Sequence, residues 1–133
     1  MIKLFIGGKG SGKTKTLIEL VNNAVTASKG NVVCIEKGDK LIHDITYKAR
    51  LIDTDYYSVT DAEALYGFIA GILASNSDIT DIFVDSALKI CANDVAAFEA
   101  ILKKLEAITK DVNLVMTASI AVEECPDVIK AYA

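Results

Sequence analysis

Arginine is nearly missing from this 133-residue chain: Arg50 stands alone among 14 basic residues, and the rest are lysine. A site built from several bidentate guanidinium clamps is therefore excluded within one copy. Tryptophan is absent, and proline and histidine occur once each, as Pro126 and His43. Cys34, Cys91 and Cys125 are the only cysteines, and no two of them form a C-x-x-C pair. That spacing offers neither a disulfide framework nor a self-contained zinc site, and it reads as idle thiols in a reducing cytoplasm. The longest apolar run, residues 64–74, falls well short of a membrane span. Residues 1–6 are too few for a signal core and lead straight into glycine and lysine. Acidic residues outnumber basic ones, 18 to 14, for a net charge of −4. Such a balance is unsuited to holding nucleic acid through the domain surface alone. Asn-Gly and Asp-Gly hairpin signals, internal repeats and low-complexity linkers are also lacking.

Apolar side chains are plentiful. They make up 52 % of the sequence, enough to rule out disorder, and the length fits one domain over residues 1–133. Their periodicity alternates along the chain. An apolar strand over residues 3–7 gives way near Lys13 to a helical repeat of Leu17, Leu20, Val21, Ala24 and Val25, stopped by Ser28, Lys29 and Gly30. Residues 32–35, almost wholly β-branched, predict a strand buried on both faces, and 50–52 a shorter one. Thr60 to Glu63 reads as a capping box opening a helix to about Ser75, within which Gly67 and Gly71 are expected to let the helix lie close on a sheet. A fourth strand covers 82–85. Asn93 and Asp94 cap a helix whose apolar face is Phe98, Ile101, Leu102, Leu105 and Ile108; a fifth strand covers 114–118, and Pro126 fits the first turn of a short last helix. Strands separated by helices imply right-handed crossovers and a parallel sheet with helices on both faces. The connection 36–50 carries no clear pattern.

One motif carries chemistry directly. Gly7, Gly8, Lys9, Gly10, Ser11, Gly12, Lys13 and Thr14 satisfy G-x-x-x-x-G-K-[ST], between an expected strand and an expected helix. Glycines let the backbone turn tightly and aim successive N–H groups into one concavity, and the helix N-terminus adds partial positive charge. In such a loop Lys13 reaches the β- and γ-phosphates and the Thr14 hydroxyl serves magnesium. A second magnesium anchor is normally an aspartate ending a neighbouring strand, which points to Asp85. Glu36, ending the second strand on the same sheet edge, is the candidate base for activating water. At the end of the fifth strand, Thr117 or Ser119 could sense a γ-phosphate.

Together these segments resemble the core of RecA-type ATPases: phosphate loop and helix, VVCIE with its acidic end, RLIDT, a capped helix and IFVDSALKI. A small group of stand-alone bacterial P-loop proteins, often labelled twitching-motility ATPases, is similar too. The resemblance implies a three-layer P-loop NTPase fold whose five-stranded parallel sheet runs 3-2-4-5-1, with Glu36 as the catalytic glutamate and Asp85-Ser86 at the metal. It departs from the family at Ser119, where a glutamine is usual. The implied ligands are ATP and Mg²⁺; ATP is favoured over GTP because no N-K-x-D signal is present. The implied activity is slow or partner-stimulated hydrolysis, the alternatives being a non-hydrolysing nucleotide-dependent module or a small-molecule kinase. In the implied order the first strand lies at an edge, where the 126–133 segment, a second copy or another protein is expected to cover it.

Overall fold

The periodicities resolve into eleven elements in the computed structural model, which describes residues 1–133. In chain order they are β1 (Ile2–Gly7), α1 (Lys13–Ala27), β2 (Asn31–Glu36), β3 (Arg50–Asp53), α2 (Ala62–Ser75), β4 (Ile79–Val84), α3 (Ala87–Ile90), α4 (Val95–Ile108), β5 (Asn113–Ser119), a 3₁₀ turn (Val122–Glu124) and α5 (Asp127–Lys130). Every strand pair is parallel. The sheet order is β1-β5-β4-β2-β3. A sheet has no preferred end: counted from the β3 edge, the same neighbours read 3-2-4-5-1.

Period-two alternation sends successive side chains to opposite faces of this sheet. On one face α1 and the 37–49 connection bury Leu17, Val21, Leu41, Ile45 and Ala49 against Val32, Cys34 and Phe83. On the other, α2, α4 and α5 enclose the larger core around Leu4, Val33, Ile35, Ile82, Val84, Leu114 and Met116. Helix α4 contributes Phe98, Ile101, Leu102 and Leu105, all fully buried. Each such side chain is worth roughly 1.5–3 kcal/mol relative to exposure, several times any difference in helix propensity, so the apolar face fixes where α4 lies.

Several local expectations need correction. The cap of α2 is Asp61, whose carboxylate accepts the Ala64 N–H at 2.8 Å; Thr60, one residue earlier, is exposed and outside the box. Asp94 plays the matching part for α4, accepting from Ala97 at 3.0 Å. Helix α1 ends with Ser28 in extended backbone, so Gly30 is not needed as a left-handed cap. Its smallness serves close approach instead: a Cβ there would lie 2.1 Å from the Asp78 carbonyl oxygen. Gly67 and Gly71 reverse the expectation, being exposed, with nothing within 4 Å of an added Cβ. The sheet-facing residues of α2 are Ala62, Leu65 and Ile69. Pro126 precedes α5 as its N-cap rather than sitting in its first turn. Helix α3 has no sequence signal, being one turn between left-handed Ser86 and left-handed Ala92 and Asn93.

The 37–49 connection has neither helix nor strand, yet it is pinned. Asn22 on α1 donates to the Asp44 carbonyl at 3.0 Å and accepts from the Thr46 N–H at 2.9 Å. At the β1 edge the C-terminal segment provides cover: the Leu4 N–H donates to the Tyr132 carbonyl at 2.8 Å, and Ile129 is buried beside it. No helix is long and apolar enough to cross a membrane.

Two glycine substitutions of opposite sign follow. Gly30→Ala is expected to cost about 1–3 kcal/mol because a backbone carbonyl must move. Gly67→Ala or Gly71→Ala is expected to add up to about 1 kcal/mol each, by helix propensity alone. Urea unfolding midpoints check both directions.

Candidate phosphate-binding cleft

Parallel strands deliver their C-terminal ends to one edge of the sheet, and that edge is where this chain gathers its polar side chains. Residues 7–14 join β1 to α1 there. Gly10 and Gly12 have φ of +81° and +85°, in the left-handed region that favours glycine. Gly12 is the N-cap of α1 and supplies no side-chain cap, and the first turn holds lysines but no acid. The first turn of α1 thus carries no carboxylate of its own to offset its N–H groups and helix dipole. The Lys13 ammonium curls over its own loop, donating to the Gly8 carbonyl at 2.9 Å and to Ser11 Oγ at 3.2 Å.

Thr14, on the first turn of α1, donates from Oγ1 to Asp85 Oδ1 at 3.1 Å. Asp85 follows β4 directly and is buried; its N–H donates to the Ile35 carbonyl on β2 at 2.8 Å. The same Oδ1 accepts from Thr117 Oγ1 at 2.9 Å, and Thr117 in turn accepts the Ser86 N–H at 2.7 Å. By sequence Thr117 and Ser119 are equal candidates for sensing phosphate. Both line the cleft, but the structure separates them: Thr117 is buried and donates to Asp85, while Ser119 is exposed and sits in register with Gly7.

Glu36 ends β2 and is 3 % exposed. Its Oε2 accepts the Leu41 N–H at 2.9 Å, which ties it to the 37–49 connection. Burial raises its pKa above the ordinary carboxylate value; backbone N–H donors at Leu41 and Lys40 oppose the rise, and the nearby Asp85 and Asp53 charges add to it. Cys34, one strand position from Ile35, is a buried thiol pushed up to about 12 by burial, reinforced by the Glu36 and Asp85 charges. Cys91 is pushed to about 12 by burial as well, and all three cysteines are free and buried. Thiols in such surroundings are poor nucleophiles.

The cleft bounded by these groups measures about 780 Å³ and has only two apolar residues in its lining, Leu41 and Leu88. Lys9, Lys13, Lys15, Lys37, Lys40 and Lys89 all reach it, against the carboxylates of Glu36 and Asp85. Lys37 is partly neutralised by Asp55 at 2.6 Å. The remaining lysines leave a positive basin on a chain of net charge −4. No pattern in the sequence joins Lys37, Lys40 and Lys89, since only the parallel sheet brings their connections to one edge. Thr117 has one faint signal, a polar β-branched residue inside an otherwise buried strand.

No group of three or more His, Cys, Asp or Glu side chains is placed so as to hold a metal ion. What does meet is an all-oxygen pair, Thr14 and Asp85, beside the glycine loop of residues 7–14. That donor set fits Mg²⁺, which is usually held by one or two protein oxygens while phosphate and water complete its shell. A scan against protein-family models and a search of curated proteins both return no match for this chain.

The raised pKa of Glu36 has a signed consequence for stability. The folded state holds this proton more tightly than the unfolded chain does. The contribution is therefore full below the ordinary value of 4.5 and lost as pH rises through the raised folded value. Glu36→Gln keeps an oxygen for the Leu41 N–H and removes the buried charge. Its urea midpoint is expected to exceed that of the wild type at pH 7, with the gap closing toward pH values below 4.5. Equal midpoints at pH 7 would show that the buried carboxylate costs nothing there.

Proposed function

We propose that this chain is a RecA-like P-loop protein that binds ATP with Mg²⁺ and hydrolyses it slowly or under stimulation by a partner. One observation supports this most: Thr14 and Asp85, 71 residues apart, meet at 3.1 Å beside a glycine loop that carries Lys13. The backbone of residues 7–12 and the Lys13 ammonium would hold the phosphate oxygens, with Ser119 at the loop's flank. Lys13 would exchange its contacts with Gly8 and Ser11 for the β- and γ-phosphates. Thr14 and Asp85 would hold the magnesium ion, which when bound supplies charge neutralisation at those phosphates. The RecA-like assignment draws support from β5 lying between the phosphate-loop strand and the strand that leads to Asp85.

For hydrolysis, Glu36 would accept a proton from water as that water's oxygen bonds to the γ-phosphorus. The bond from the γ-phosphorus to the bridging oxygen then breaks, leaving ADP and inorganic phosphate. A raised proton affinity suits a base working nearer neutral pH than an ordinary carboxylate. A second reading, nucleotide binding without turnover, is favoured by the Leu41 N–H on Glu36 Oε2, which commits one base oxygen to the chain itself. Equal residual ATP turnover by wild type and Glu36→Gln would remove Glu36 as the base and leave it idle, as the second reading has it. We place the protein in a reducing cytoplasm on the strength of its three unpaired, buried thiols. We also keep the β1 edge as a contact for a second copy or another protein, reached beside the Tyr132 cap.

Lys13→Ala is expected to weaken ATP binding by about 100-fold or more, as removal of a charge-assisted contact of roughly 3 kcal/mol implies, with an unchanged circular dichroism spectrum. Asp85→Asn is expected to blunt the magnesium dependence of binding while magnesium-free affinity barely moves. Calorimetric titration of ATP with Mg²⁺ and with EDTA reads both. Undiminished affinity in Lys13→Ala removes the proposal.

A further inference from the structure

We infer that Thr117 is a positioning residue for the metal site: its hydroxyl fixes the Asp85 carboxylate so that one oxygen is held by the protein and the other is presented to the cation. This rests on the proposed reading of residues 7–14 and Asp85 as a Mg²⁺-nucleotide site. The hydrogen bonds around Asp85 carry the inference. Oδ1 accepts from Thr14 Oγ1 at 3.1 Å and from Thr117 Oγ1 at 2.9 Å, two donors for an oxygen with two lone pairs. Oδ2 has only a 3.5 Å contact with Ser86 Oγ, at the limit of a hydrogen bond. The carboxylate is thus asymmetric, with Oδ2 as the oxygen left for a cation or its water.

Thr117 can do this because its hydroxyl is itself constrained. A threonine hydroxyl has one proton to give, and here the Ser86 N–H occupies an acceptor position at 2.7 Å. The proton is thereby directed away from Ser86 and onto Asp85. The side chain has no freedom to turn elsewhere, since Thr117 is 1 % exposed and lies in the cleft-proximal end of β5. Ser86 is held in the left-handed region, φ +56°, where a residue other than glycine needs its surroundings to keep it. The Thr117 hydroxyl therefore joins two neighbouring residues, the Asp85 carboxylate and the Ser86 backbone. A hydroxyl serving only β5 packing would have no need of either bond.

Thr117→Val keeps the branched shape and deletes the hydroxyl; Thr117→Ser keeps the hydroxyl and deletes a methyl. The probe is a fluorescent ATP analogue, titrated with MgCl₂ and, separately, in EDTA. Thr117→Val is expected to raise the Mg²⁺ concentration for half-maximal response by about 10–100-fold, the usual effect of losing an outer partner of a metal ligand. Affinity in EDTA is expected to stay within about twofold of wild type. Thr117→Ser is expected to restore the wild-type magnesium midpoint, which a purely structural residue would not do selectively. If Thr117→Val does not fold, Thr117→Cys keeps the volume with a weak donor. A magnesium midpoint raised about threefold or more in that variant then supports the inference, and an unchanged one overturns it. A wild-type protein whose nucleotide affinity ignores magnesium overturns the proposed function and this inference together. A magnesium-responsive wild type with an unaltered Thr117→Val overturns the inference alone.

Discussion

The carboxylate of Asp85 is the constraint on which the cleft depends. The residue's backbone N–H joins the end of β4 to β2 through Ile35, and its Oδ1 joins the start of α1 through Thr14 and the end of β5 through Thr117. Four elements far apart in sequence are thereby held to one geometry at the sheet's C-terminal edge. A buried carboxylate survives only when its oxygens find donors, and two of the donors here come from the elements it must position. Folding and site assembly are the same event at this residue.

Around that point the charge is arranged unevenly. Six lysines line the cleft while the chain as a whole is acidic. The remainder of the surface is therefore more acidic than the net value suggests, and field lines from the basin run out through its open mouth. At the cleft an approaching anion meets more lysines than carboxylates, although the chain as a whole is acidic. Glu36 sits within this basin as a buried acid held by a loop amide, so its protonation state answers to its burial, to the Asp85 and Asp53 charges and to the backbone donors of residues 37–49.

Much of this is legible in the sequence because the decisive signals are local. The glycine loop, the β-branched runs and the spacing of Phe98, Ile101, Leu102 and Leu105 each depend on a few adjacent residues and one periodicity. Asp85 is legible because a single acid closing an apolar strand stands out from the residues on its N-terminal side. The parts that are not legible depend on partners distant in the chain. Gly30 looks like a helix stop until the Asp78 carbonyl is seen against it, and Gly67 looks like a contact residue until α2 is rotated to face Leu65 and Ile69 inward. The folding of residues 37–49 over α1 relies on Asn22, which carries no sign of that duty. Thr117 reads only as one of two strand-end hydroxyls until Asp85 is seen beside it.

The closed posture of Lys13 has a consequence for what the cleft will select. Its ammonium is already hydrogen-bonded to Gly8 and Ser11, so a ligand does not meet a bare cation. Binding is an exchange, and an anion gains only the difference between its own contacts and those two. On the proposed reading, a single phosphate would replace them and add little, whereas a chain of phosphates would also meet the amides and hydroxyls beyond. Under the proposed function, those two bonds would weigh against short anions more than long ones, and Lys13 would need only a rotamer change to release them.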